Sequence, residues 1–202
     1  MVKGLVIGGA FGGILVRQKA GHTIEIGELL VAESSAGNVL LQVFDLHYGS
    51  QLSQQNLELV SGLKLEEDSS LELMDQAIRQ YGLASAKALA VLRDGRVAVC
   101  KSLPQHFGEL REVTAQDLAF ITTPQHPLFV GRLRSGSRVL DVPVFIDGEK
   151  ALSHHILIPA TTGKGKSNLT YCMLWDSIDK DWCGFLVLDP HDEYYGRTKK
   201  GA

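Results

Sequence analysis

One segment limits the folds open to this chain more than any other. Ile156-Leu-Ile158 is a short apolar run, and Pro159-Ala-Thr-Thr-Gly-Lys-Gly-Lys-Ser167 follows it. Asn168 to about Asp179 then reads as a helix carrying Leu169, Cys172, Met173 and Leu174. Strand, glycine-bearing loop ending in Gly-Lys-Ser, then helix is the arrangement in which a backbone loop cradles a phosphate. Gly163 and Gly165 let the backbone curl so that successive N–H groups point at one anion. The helix beginning at Lys166 turns its unpaired N–H groups and positive dipole end to the same place. Lys166 is predicted to reach the β- and γ-phosphates and Ser167 to take a Mg²⁺ position. Ala160, Thr161, Thr162, Gly163, Lys164, Gly165, Lys166, Ser167 and Asn168 are therefore the candidate ATP-binding residues, with Lys166 the catalytic one. ATP and Mg²⁺ are the expected cofactors. The strict pattern wants glycine at position 160; Ala160 stands there and needs only a negative φ to fit.

A second signal follows closely. Gly184-Phe-Leu-Val-Leu-Asp189 is an apolar run ending in a carboxylate, continued by Pro-His-Asp-Glu-Tyr194. Asp189 has three readings: a metal partner at the end of a Walker B strand, an active-site-edge residue of another kind, or a strand-end turn. His191 and Glu193 are candidate edge residues beside it.

The rest of the chain has a different texture. Val2–Ile7, Ile14–Gln18, Glu28–Glu33 and Val39–Leu46 are short apolar runs separated by glycines and by Ser34–Asn38, as in a small barrel or sandwich. The glycine pairs flanking Phe11 fit a tight hairpin, since no GxGxxG is present. Ser53 to Gly82 interrupts the strands as a helical pair. Ser69-x-x-Glu72 is a capping box, Leu71, Met74, Ile78 and Tyr81 follow at helical spacing, and Gly82 is expected as the residue that ends the second helix. Asp94-Gly95 between Ala88–Arg93 and Arg96–Lys101 marks a hairpin, with Val91 expected opposite Ala98 and Leu89 opposite Cys100. Both faces of that pair are largely apolar, so it is expected to be covered. Thr122-Thr-Pro-Gln-His-Pro127 stiffens the chain and is the expected boundary between two domains. Beyond it Leu128–Arg134 and Val139–Ile146 are strand-like, and Arg132, Arg134 and Arg138 surround a turn. That cluster reads either as wet surface or as a contact for nucleic acid or a subunit.

Composition narrows the classes. Twenty Lys and Arg against 23 Asp and Glu give a net charge of −3, which excludes a uniformly basic coat. Any nucleic-acid contact must come from a local patch. The three cysteines, Cys100, Cys172 and Cys183, are far apart with no C-x-x-C, so neither a disulfide framework nor a structural zinc site is expected, and the cytoplasm is the expected compartment. The longest charge-free apolar stretch, Gly4 to Val16, is too short to span a bilayer and is rich in glycine.

Together, the glycine-punctuated barrel, the Pro-containing link, His155-Ile-Leu-Ile-Pro-Ala-Thr-Thr-Gly-Lys-Gly-Lys-Ser167 and Val-Leu-Asp189-Pro-His-Asp-Glu-Tyr194 resemble the HerA family of the FtsK–HerA group. The family pattern is close to H-x-x-I-x-G-x-T-G-S-G-K-S followed by D-P-H-G-E-Y. This chain departs from it at Ala160, Lys164 and Asp192. The resemblance implies a mixed fold. Residues 1–122 would be a β-barrel with a helical insertion at 53–82, and 123–202 the first strand-helix-strand part of a RecA-like P-loop domain. It implies a hexameric ATPase that pumps duplex DNA through a ring channel, with a nuclease partner docked on the barrel, in end resection and double-strand break repair. The catalytic glutamate, sensor and arginine finger of such an ATPase do not occur in this sequence, which is expected to be a piece of a longer enzyme and inactive alone. Two other classes compete: a P-loop NTPase acting on a substrate other than DNA, and a barrel adaptor or oligomerisation module whose loop does no chemistry.

Overall fold

The computed structural model describes residues 1–66, 80–190 and 194. By contacts the chain falls into two compact units: residues 1–120 with 134–140, and residues 121–133 with 141–202.

The first unit is a closed barrel. Its strands are β1 (Val2–Ala10), β2 (Gly13–Gln18), β3 (Leu29–Ser34), β4 (Gly37–Ser50), β5 (Gln80–Arg93) and β7 (Glu109–Glu112), with β6 (Arg96–Ala98) attached outside the ring. The order β2-β1-β7-β3-β4-β5 closes because β5 also pairs with β2, Ile14 opposite Ala86 and Val16 opposite Ala84. The interior follows the period of two that a strand imposes. Ile14 and Val16 of β2, Val39, Leu41 and Val43 of β4, and Leu110 of β7 are essentially sealed from solvent. Each such side chain contributes roughly 1.5–3 kcal/mol by burial. Ala84 and Ala86 supply the small residues that let large ones from neighbouring strands meet inside.

Local rules explain both hairpins. β1 and β2 meet through Ala10 and Gly13, as the glycine pairs predict. Asp94 (φ 50°) and Gly95 (φ 71°) both take the left-handed conformation that a type I′ turn requires, and Val91 stands opposite Ala98. The pairing ends there, however, so Leu89 does not oppose Cys100, and Val97 and Val99 are exposed. Among the described residues β6 lies outside the ring and pairs only with β5, which leaves it uncovered.

The helical insertion also differs. Helix α1 (Gln54–Glu66) forms with Ser53 at its start, the Asn56 N–H donating to Ser53 Oγ, and it buries none of its residues. The predicted second helix falls largely on residues 67–79, outside the described residues. Tyr81 and Gly82 belong to β5, opposite Gly49 and Tyr48. There the cross-strand partner in β4 overrides the local helical pattern.

The hairpin β8 (Pro127–Ser135) and β9 (Arg138–Asp147) contributes its tip, residues 134–140, to the first unit. Buried Ser135 accepts the Leu29 N–H on Oγ at 2.9 Å. Ser137 donates its N–H and hydroxyl to the Glu25 carboxylate at 2.6 and 3.0 Å, which hold that carboxyl below its usual range. Arg138 pairs with Glu112 at 3.0 Å, and Lys3 bridges Glu112 and Glu28 at 3.3 Å each. Within the arginine cluster, Arg132 pairs with Asp141 and Arg134 donates to the Ser137 carbonyl, so the cluster is largely engaged with the protein's own acceptors.

In the second unit, α2 (Gly148–Leu152) is capped by Asp147, and α3 (Lys166–Ser177) is the helix predicted after Gly-Lys-Ser. The expected strands at 156–158 and 184–189 join no ladder. Leu157, Leu186 and Leu188 are each more than 80% exposed. An all-apolar strand is stable when neighbours pair both its edges and helices cover its faces, and no such pairing exists among the described residues. No helix among the described residues is long and apolar enough to cross a membrane.

Candidate phosphate-binding site

The loop owes its shape to two backbone angles. Gly163 (φ 79°) and Gly165 (φ 87°) are both left-handed, and the Lys164 N–H closes a turn onto the Thr161 carbonyl at 3.2 Å. An added Cβ would meet nothing within 4 Å at either glycine. Backbone conformation, not space, therefore selects glycine here. Gly165 is the N-cap of α3 and offers no side chain to cap it. The first helical bond runs from the Leu169 N–H to the Gly165 carbonyl at 2.9 Å. The N–H groups in the first turn of any helix find no acceptor within that helix. The first turn holds no acidic residue to offset the positive end of the helix dipole. Thr161 to Lys166 are exposed and Ser167 is half-buried. Chemically, the segment offers the ammonium groups of Lys164 and Lys166 and the hydroxyls of Thr161, Thr162 and Ser167 beside the start of a helix.

The nine candidate residues from Ala160 to Asn168 thus form one continuous turn and helix start. Asp189 is half-buried, and its Oδ2 accepts the Tyr194 N–H at 2.8 Å. His191 and Glu193 lie outside the described residues. Among the described residues no three His, Cys, Asp or Glu side chains are grouped to hold a metal. That is compatible with Mg²⁺, which keeps several waters and needs only one or two protein oxygens. The Ser167 hydroxyl and the Asp189 carboxylate are hard oxygen donors of the right kind.

Two supports of α3 escaped the sequence reading. Asp176 Oδ2 accepts the main-chain N–H of Phe129 in β8 at 3.0 Å. Trp182 lies against Gly148, where a Cβ would overlap its ring, and its ring is 5.9 Å from that of His126. The one available signal was Asp176 itself. A carboxylate in the last turn faces the negative end of the dipole, at a cost of about 0.3–1 kcal/mol unless something else engages it.

Comparison with known proteins gives the same direction. Residues 128–202 match the family model for the central domain of helicase HerA. The DNA double-strand break repair helicase HerA of Sulfurisphaera tokodaii is 30% identical over 202 residues, covering 96% of this chain and 37% of the relative. An uncharacterized protein of Aquifex aeolicus (strain VF5) is 29% identical over 126 residues, 58% of this chain and 45% of the relative. The chain thus spans less than half the length of either relative.

Proposed function

We propose, from the match of residues 128–202 to the central domain of helicase HerA, that the chain carries the nucleotide-binding start of a DNA-translocating ATPase. The observation that carries the reading is local: two left-handed glycines stand directly before α3, with Lys166 and Ser167 as its first two residues. In this reading the loop amides and the α3 N-terminus bind the phosphates, and the Lys166 ammonium neutralises charge on the β/γ oxygens. Ser167, with Asp189, would hold Mg²⁺, which would screen the charge that develops on the phosphates. Residues 1–122, with the insertion between β4 and β5, would be the barrel domain and 123–202 the start of the ATPase domain.

The wider reading follows the relative named as a double-strand break repair helicase. The parent protein would form a ring, in the family a hexamer, translocate duplex DNA through its channel and present the barrel to a nuclease. Three free cysteines support a reducing compartment, the cytoplasm. Phosphoryl transfer depends on groups that orient water and stabilise charge, and a trans-acting arginine alone can contribute ~10³–10⁵ in rate. In this reading the 202-residue chain is expected to bind Mg·ATP weakly and to hydrolyse it negligibly.

The test is calorimetric titration of the chain with Mg·ATP. Lys166→Ala should weaken binding by about tenfold or more, from loss of a charge-assisted contact, with the barrel's circular dichroism unchanged. Equal affinity of variant and wild type would remove the phosphate-loop assignment. Duplex-stimulated turnover by the longer parent tests the translocase reading, and turnover indifferent to duplex DNA would overturn it.

A further inference from the structure

The phosphate loop sits at one end of α3, and the contacts that hold that helix sit at the other. Asp176 is the eleventh of its twelve residues, and no basic residue stands in the last turn to offset its charge. A carboxylate there opposes the helix dipole, so its presence calls for a specific partner. That partner is the Phe129 N–H, a main-chain group fixed within β8, whose Phe129 ring also meets Phe145 of β9 edge-on at 5.7 Å. The acceptor therefore grips a rigid donor. Directly after it, buried Ser177 donates to the Met173 carbonyl at 2.7 Å and closes the helix.

A second contact pins the same end. Trp182 rests on Gly148, the first residue of α2, and beside His126. The Gly148 N–H donates to the His126 carbonyl at 2.7 Å, and His126 Nδ1 meets Glu149 at 2.6 Å. Gly148 precedes the loop and Trp182 follows α3, so the chain entering this segment and the chain leaving it meet at one point. Between Lys166 and Asp176 the helix rises about 15 Å through one continuous set of backbone hydrogen bonds. A displacement at Asp176 is therefore carried to the loop amides.

We infer that Asp176 is a positioning residue: its bond to the Phe129 N–H sets the height of α3, and through it where the Gly163–Ser167 loop presents its donors. This rests on the phosphate-loop reading above. The requirement is for an oxygen at the right distance, not for a charge.

Three variants of the 202-residue chain separate these demands by Mg·ATP calorimetry, with thermal melting followed by circular dichroism. Asp176→Asn keeps a carbonyl oxygen in place and should bind within about twofold of wild type. Asp176→Ala removes the acceptor and should bind about tenfold more weakly. Asp176→Glu keeps the charge but moves the oxygen by one methylene. It should bind several-fold more weakly while melting close to wild type, and it carries the test if the alanine variant does not fold. Wild-type affinity in both the glutamate and alanine variants overturns the positioning role while leaving the phosphate loop intact. Equal weakening by asparagine and alanine also overturns it, because charge would then be the requirement. Absence of any binding by wild type overturns the phosphate-loop reading and this inference together.

Discussion

Replacing Asp117 by Asn should cost the barrel about 1–2 kcal/mol at neutral pH and almost nothing at pH 2. Asp117 lies in the segment that follows β7, and its side chain is only 9% exposed. Arg111 of β7 meets both carboxylate oxygens, at 2.6 and 2.7 Å, and Thr114 donates its N–H and hydroxyl to Oδ2 at 2.8 and 2.6 Å. The Arg111 bonds, and then those of Thr114, hold the carboxyl at about 2 instead of 3.8. By linkage that difference is at most about 2.5 kcal/mol. Arg111 is 37% exposed, and solvent screening around it reduces the figure to about 1–2 kcal/mol. The sign follows from the direction of the shift. A folded-state pKa below the unfolded one gives stability that is present above about pH 4 and is lost as pH falls toward about 2. Urea denaturation of wild type and Asp117→Asn at pH 6, 4, 3 and 2 is the assay. The two midpoints should differ at pH 6 and converge through the window from 4 to 2, and at pH 6 the melting temperatures should differ by about 3–6 °C. Identical midpoints at pH 6, or a gap that persists unchanged to pH 2, would refute the assignment of this stability to the ionised Asp117.

Two further outcomes test how the barrel is held. Ser135→Ala leaves the Leu29 N–H without its buried acceptor and should cost about 1–3 kcal/mol in urea denaturation; an unchanged midpoint would mean that the tip of the β8–β9 hairpin contributes no anchoring. Gly4→Ala places a methyl group against the Arg17 carbonyl of the neighbouring strand, which as backbone cannot swing aside. It should lower stability by about 1–3 kcal/mol, read as a fall in melting temperature, and a melt equal to wild type would count against the tight β1–β2 approach.

Features that depend on neighbours along the chain can be read from the residues alone. The shape of the loop before α3 is legible because Gly163, Gly165 and the start of α3 act within a few residues of one another, through backbone angles. Asp94-Gly95 is legible for the same reason, since two left-handed residues define the turn without any help from elsewhere. Alternation of apolar residues likewise marks Ile14 and Val16, or Val39, Leu41 and Val43, as one face of a strand. It cannot say which strand lies beside them. Tertiary structure alone decided that β5 closes the ring onto β2, that Tyr81 and Gly82 extend β5 instead of ending a helix, and that β6 stops at Ala98. In each case a partner distant in sequence supplies or withholds backbone hydrogen bonds. The same holds at the candidate site: the loop was readable, but Asp176 finds the Phe129 N–H across 47 residues. No local pattern records that distance, because only the packing of α3 brings the carboxylate and the amide together.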